Sequence, residues 1–129
     1  MKLKKPTLSA VRELAEMFQA STTATLLKLV QNNIYPLVVV CHTKERRRWF
    51  RRSAMLGEWW FPRDELDPDS FAFDMLFKGA KESPMPRRIG AGAWFEFRNV
   101  DRYEILEQSF LLPNEEILSV LALPDSAIT

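Results

Sequence analysis

Few residues of this sequence are of the types that do chemistry. Its single cysteine, Cys41, and its single histidine, His42, are neighbours. Adjacent residues of a strand point to opposite faces, so the pair cannot form a nucleophile with its base or bind one metal ion together. We expect Cys41 in the core and His42 at the rim of a strand. The sequence therefore predicts no metal site and no cofactor.

Sequence motifs for other catalytic sites are also missing. The chain contains no HExxH, CxxC or GxSxG motif, and Gly90-Ala91-Gly92 lacks the third glycine or the Lys-Ser or Lys-Thr of a phosphate-binding loop. Carboxylates occur as a pair at Glu115-Glu116 and as a cluster over residues 64–69, where turn and loop patterns indicate solvated acids. We therefore predict that the chain is not an enzyme.

The strongest polar feature is a cluster of cations in a predicted hairpin. Six cations occupy the nine positions from 44 to 52. They are Lys44, Arg46, Arg47, Arg48, Arg51 and Arg52. On a strand, Arg46, Arg48 and Arg52 would share one face, and the other two arginines would share the opposite face. The five arginines, together with Lys28, are candidate contacts for nucleic acid or an acidic partner. The alternative is an edge hairpin kept soluble by its charges.

A second candidate site is the aromatic run Trp59-Trp60-Phe61. It falls within residues 53–69, which show a loop pattern, and loops longer than about 12–15 residues are usually functional or mobile. Exposed aromatic clusters usually mark contacts. We therefore predict a pocket or an interaction surface at this run, with aromatic side chains folded back onto the sheet as the alternative.

The elements that would position these residues form an α+β arrangement. Residues 7–33 show two amphipathic helices joined at residues 19–21, which predicts a helix-turn-helix-like pair over residues 1–34. A short helix with Asp69 or Ser70 as its cap should end at Gly79. Strand patterns cover residues 37–41, 47–52, 93–97, 103–112 and 117–123. For residues 35–129 this order predicts a GAF- or PAS-like antiparallel sheet of about five strands, with one helix between strands 2 and 3.

The second helix of the pair allows a DNA-binding interpretation. Placed in a major groove, it would present a row of polar side chains to the bases. They are Thr22, Thr23, Thr25, Lys28 and Gln31. However, this helix carries a single cation, and the turn before it has Gln19 where glycine is usual. The alternative is a helical hairpin that serves as a docking or linker element.

Composition excludes several classes of protein. The net charge of +1 over 129 residues does not by itself indicate nucleic-acid binding. No apolar run approaches the ~18–20 residues of a membrane span, and the basic N-terminus lacks the apolar segment of a secretory signal. A single cysteine fits a reducing compartment. We expect a cytoplasmic protein that does not contact a membrane.

Residues 14–21, together with Ala24, Lys28 and Leu29, resemble the helix-turn-helix linker of the ImmA/IrrE family. Residues 36–40 and 48–53 resemble the first hairpin of that family's C-terminal GAF-like domain. Residues 104–109 resemble a late strand of the same domain.

The resemblance implies a regulatory function. Members of the family are bacterial or phage regulators, in which a zinc peptidase with an HExxH motif cleaves a repressor and switches on stress or mobile-element genes. This sequence has no HExxH, so the resemblance implies the regulatory half alone. That half would be a non-catalytic sensory module with a protease or repressor as protein partner and a small-molecule signal as a further partner. Apart from the resemblance, the predicted edge strand and the loop with the aromatic run would allow a homodimer. The alternative is a helix-turn-helix DNA-binding transcriptional regulator.

Overall fold

The computed structural model describes residues 22–128, and one antiparallel sheet forms the centre of this part of the chain. Its strands are in the order β2-β1-β5-β4-β3, so β2 and β3 are the two edges. In chain order the elements are α1 (Thr22–Gln31), β1 (Leu37–His42), β2 (Arg47–Arg52), α2 (Phe71–Lys78), β3 (Arg87–Gly90), β4 (Glu104–Leu112) and β5 (Glu116–Ala122).

The inner strand β1 shows why these residues form a sheet. Its sequence, LVVVCH, is rich in β-branched residues, and all six side chains are buried. Val38 and Val40 pack into a core on the α2 side of the sheet, whereas Leu37, Val39 and Cys41 pack into a second core on the α1 side. The sheet is therefore covered on both faces, and its strands alternate between two cores.

The two described helices cover opposite faces of the sheet. Leu26 and Val30 lie one turn apart on α1 and pack with the strand residues of the second core. On the other face, α2 begins at its N-cap Ser70, whose hydroxyl accepts a hydrogen bond from the Phe73 N–H (3.1 Å). It ends at Gly79, which has the left-handed φ of 71° that glycine adopts at low cost. The predicted limits of this helix are confirmed.

The predicted fold is wrong in its helical part. The two described α-helices are not an N-terminal pair, since only the first of them, α1, precedes β1. The second, α2, lies between β2 and β3, where the sequence predicts a helix. The first predicted helix and the joint at residues 19–21 lie outside the described residues. The sheet does have five antiparallel strands. The boundary predicted between residues 34 and 35 stays a prediction, although α1 already packs against β1.

The strand predicted over residues 93–97 is also wrong. The third strand is β3, whose Arg87 and Gly90 pair with Glu107 and Glu104 of β4. The chain then turns through a 3-10 helix, Ala91–Ala93, and Trp94 and Phe95 of the predicted strand are buried outside the sheet. Apolar content alone cannot distinguish a buried strand from a buried irregular segment.

Candidate functional site

The loop of residues 53–69, which carries the aromatic run and is called the aromatic loop below, lies along the outer edge of the basic strand β2. The guanidinium of Arg47 donates a hydrogen bond from Nη1 to the Pro62 carbonyl (2.6 Å), and the Arg47 main-chain N–H donates to the Asp64 carbonyl. Nη1 of Arg52 donates to the Trp60 carbonyl at 3.4 Å. Two of the candidate arginines therefore hold the segment 60–64 against the edge of the sheet.

Cations and rings alternate at this edge in what we call the arginine–aromatic ladder, formed by Arg52, Phe50, Arg47 and Phe61. The guanidinium carbon of Arg47 lies 4.6 Å from the Phe61 ring centroid and 5.4 Å from that of Phe50. Arg52 lies over Phe50 at 5.9 Å, and the Phe50 and Phe61 rings meet edge to face at 5.0 Å. Such cation–π contacts contribute about 0.5–1 kcal/mol each at exposed sites, so the ladder is held in place.

The predicted distribution of arginines between the two faces of the strand is wrong for Arg47. It lies with Arg52 against the aromatic loop, because the pairing of β1 with β2 shifts register between Cys41 and His42. A register shift of this kind turns a side chain from one face to the other.

The other candidate cations point to different surroundings. Arg48 forms an ion pair with Glu116 of β5 (2.6 Å), and Arg51 lies 5.9 Å from the ring of Trp49. Arg46 is exposed in the turn before β2, and Lys28 is exposed on α1. The structure therefore brings Arg47 and Arg52 together with the aromatic loop, and it does not bring Lys28 into that cluster.

The aromatic run is divided between surface and core. Trp60 is fully buried, donates from its indole nitrogen to the Ala127 carbonyl (3.2 Å), and meets three further rings edge to face. It is therefore a core residue, which corrects the prediction for this position. Trp59 and Phe61 are 45% and 52% exposed. The ring of Trp59 lies so close over Gly57 that a Cβ there would come within 2.2 Å of it.

His42 is buried rather than at the rim of its strand. Its Nε2 lies 3.0 Å from the Arg63 carbonyl, to which it donates, and its ring packs at 5.7 Å from Trp94. In the described part of the chain Nδ1 has no hydrogen-bond partner. Burial lowers the pKa of His42, because a charged imidazole would lack solvation there. The neutral ring thus fastens β1 to the loop that carries Arg63.

Cys41 lies in the core, as its position in the apolar strand predicts. Its thiol is 3.6 Å from the Glu116 carboxylate. Burial and the adjacent carboxylate raise the pKa of this thiol to about 11. Since the thiolate is the reactive form, Cys41 is not activated as a nucleophile.

Sequence reasoning missed Glu107, a carboxylate buried in β4. One oxygen accepts from the Phe71 N–H (3.1 Å) and the Trp94 indole N–H (2.8 Å), and the other accepts from the Ala72 N–H (2.7 Å) and the Ser109 hydroxyl (2.9 Å). Burial raises the pKa of Glu107, while these hydrogen bonds act in the opposite direction. The carboxylate joins β4 to the first turn of α2. The sequence did contain a signal of this burial, because Glu107 is two residues after the buried Ile105 and therefore lies on the same face of β4.

An acidic cleft is lined in part by residues 63–69, which follow the aromatic run. Two adjoining cavities of about 430 and 400 Å³ share Arg63, Asp67 and Glu96 in their walls. The Arg63 guanidinium donates twice to the Gly92 carbonyl (3.0 and 2.9 Å), which fixes it across the cleft. Among residues 22–128 no group of three or more potential ligands is placed to hold a metal ion.

Comparison with known proteins leaves the chain without an assigned family. The described part is an α+β protein with a five-stranded antiparallel sheet. No protein-family model matches the chain, and no curated protein matches it. The resemblance to the ImmA/IrrE family therefore stays a prediction. None of the described helices has the length and apolar character needed to cross a membrane.

Proposed function

We propose that the chain is a non-catalytic regulatory module of the cytoplasm that acts by binding a partner protein. One observation carries the proposal: the half-exposed ring of Phe61 stacks on Arg47 of the edge strand β2, and the half-exposed Trp59 lies two residues earlier in the same loop. Aromatic and arginine side chains together are the types that dominate binding energy at protein interfaces.

The surroundings of the buried reactive groups support the non-catalytic part of the proposal. Glu107 receives four hydrogen bonds from the fold, and His42 uses Nε2 to fasten a loop. Cys41 is held as a neutral thiol. Each of these groups stabilises the fold, and none of the three lines the clefts beside Arg63.

The regulatory part of the proposal rests on the resemblance to the ImmA/IrrE family, which suggests a protease or repressor as the partner. In cells that naturally carry the gene, we expect its deletion to change a limited set of transcripts, which RNA sequencing would detect. Expression of the wild-type chain should restore them. Transcript levels that are the same with and without the gene would contradict a regulatory function. A reading frame with HExxH beside the gene would identify the protease to test first.

Titration of a labelled mixed-sequence DNA duplex, followed by fluorescence anisotropy, distinguishes partner-protein binding from direct DNA binding. We expect no tight binding at low salt, because Arg48 is paired with Glu116 and the exposed acids Asp64 and Glu65 follow the segment that is bonded to β2. Tight binding that weakens steeply with salt would instead assign the chain to DNA-binding regulators, since each phosphate contact adds to that dependence.

A further inference from the structure

The arginine–aromatic ladder is open to solvent at its Phe61 end. Phe61 is 52% exposed, and it stacks on a guanidinium that is fixed by the Pro62 carbonyl. A guanidinium has five N–H donors, and the described hydrogen bonds of Arg47 and Arg52 use one side-chain donor of each. Within residues 22–128 neither arginine forms an ion pair with a carboxylate.

We propose that this ladder binds an acidic peptide segment of the partner protein, with peptide carboxylates on the two arginines and an apolar peptide side chain on Phe61. The inference rests on the proposed function, since it names the surface and the chemistry by which the module meets its partner. Carboxylates suit the site because arginine binds them in a bidentate, planar geometry that a stacked guanidinium already presents.

The charges around the ladder favour a peptide over a nucleic acid. Asp64 lies beside the ladder, because its carbonyl accepts a hydrogen bond from the Arg47 main-chain N–H. Glu65 is the next residue in the sequence. Glu58 precedes the exposed Trp59, and all three acids are exposed. A phosphate backbone carries a charge at every nucleotide and would meet these carboxylates, whereas a peptide can place a few acids between them.

Recognition at this edge uses side chains rather than an added strand. The Arg47 main-chain N–H, which an incoming strand would need, is already bonded to the Asp64 carbonyl. The aromatic side chains are also fixed before binding, since the Trp59 ring rests against Gly57 and the Phe61 ring against Phe50. Fixed side chains lose little entropy when a partner binds.

The test is a titration of the full chain, labelled with nitrogen-15, followed by NMR of its backbone and arginine Nε–Hε resonances. The probe is a short synthetic peptide with two aspartates and one central phenylalanine. A matched peptide carries asparagine at every aspartate, and a single-stranded oligonucleotide is the third probe. We expect the acidic peptide to shift the arginine resonances of the ladder and the amides of residues 59–63, with weaker binding as salt is raised.

Variants locate the effect on the protein. Arg47→Ala removes an anchor of the loop and risks unfolding it, so Phe61→Ala is the main variant and Arg47→Lys, which keeps the charge, is the second. We expect each to weaken peptide binding about tenfold, which corresponds to about 1.4 kcal/mol. Phe77→Ala is the matched control, because Phe77 is similarly exposed but lies on α2. It should bind as the wild type does.

Three results would overturn the inference. The first is equal shifts with the acidic and the asparagine peptide, and the second is the absence of shifts at the ladder with the acidic peptide at millimolar concentration. The third is tighter binding of the oligonucleotide, which would assign the surface to nucleic acid. Any of these, obtained while deletion of the gene still changes transcripts, would leave the regulatory function in place at another surface. Peptide binding without any transcript response would contradict the regulatory function alone.

Discussion

Replacing Glu107 tests whether its carboxylate holds β4, α2 and Trp94 together. In Glu107→Gln the amide oxygen can keep two donors, and the amide nitrogen can donate to the Ser109 hydroxyl in place of the second oxygen. The Ala72 N–H at 2.7 Å then faces a donor and loses its acceptor. One unsatisfied buried donor costs about 1–3 kcal/mol, so we expect a loss of that size in the free energy of unfolding.

Glu107→Leu should be much worse. Ser109 can turn to Ser119, whose hydroxyl is 2.7 Å away, but three donors remain without acceptors: the N–H groups of Phe71 and Ala72 and the indole of Trp94. Even at the lower end of the range this costs about 3 kcal/mol or more. Since whole domains are stable by about 5–15 kcal/mol, the variant should be close to unfolding.

Urea unfolding followed by circular dichroism measures both changes, and it avoids Trp94 fluorescence, which itself depends on Glu107. Glu104→Gln is the matched control on the same strand. The Glu104 side chain is 65% exposed, so we expect a change below about 0.5 kcal/mol. If Glu107→Leu unfolds at the same urea concentration as the wild type, the four hydrogen bonds do not stabilise the fold and the reasoning is wrong.

Three further predictions concern other sites. Burial lowers the pKa of His42 below its usual 6.5, so the stability that depends on the neutral ring should be full above pH 6.5 and should fall at lower pH. Urea unfolding at several pH values measures this loss. The variant His42→Gln cannot titrate at this position and should not show it. The Cys41 thiol, with its pKa raised to about 11, should react with a colorimetric disulfide reagent only as fast as the protein unfolds, and immediate reaction of the folded protein would contradict its burial. Gly57→Ala should displace the half-exposed Trp59 ring and lower the free energy of unfolding by less than about 1 kcal/mol. Acrylamide should then quench Trp59 fluorescence more strongly. Unchanged quenching would refute the close packing of this ring on Gly57.

The parts of the fold that local chemistry determines could be predicted from sequence. The β-branched run of β1 and the apolar residues of β4 predict strands, and the serine and glycine that flank α2 predict its limits. The short edge strand β3 escaped prediction because Pro84, Pro86, Gly90 and Gly92 indicate a loop over residues 80–91. Its residues form a strand because they pair with residues 104–107 of β4, although their own sequence shows no strand pattern.

The candidate site could be predicted in composition but not in arrangement. The arginines and the aromatic run were evident, yet exposure differs completely between the neighbours Trp59 and Trp60. The position of Arg47 depends on a register shift in the neighbouring strand, and no residue of β2 signals that shift. Burial of Glu107 depends on a helix that contributes its N–H groups from 35 and 36 positions away. Each of these outcomes is decided by distant parts of the chain.

The pairing of β1 with β5 has a consequence for folding during synthesis. Cys41 and Glu116, which meet across these strands, are 75 residues apart. At a synthesis rate of about 5–20 residues per second, β1 waits about 4–15 s for its second neighbour to be made. Among the described strands, β2 is the one that can pair with β1 in that time, and four of its six residues are arginines. Their mutual repulsion between chains would keep nascent hairpins apart until β5 arrives.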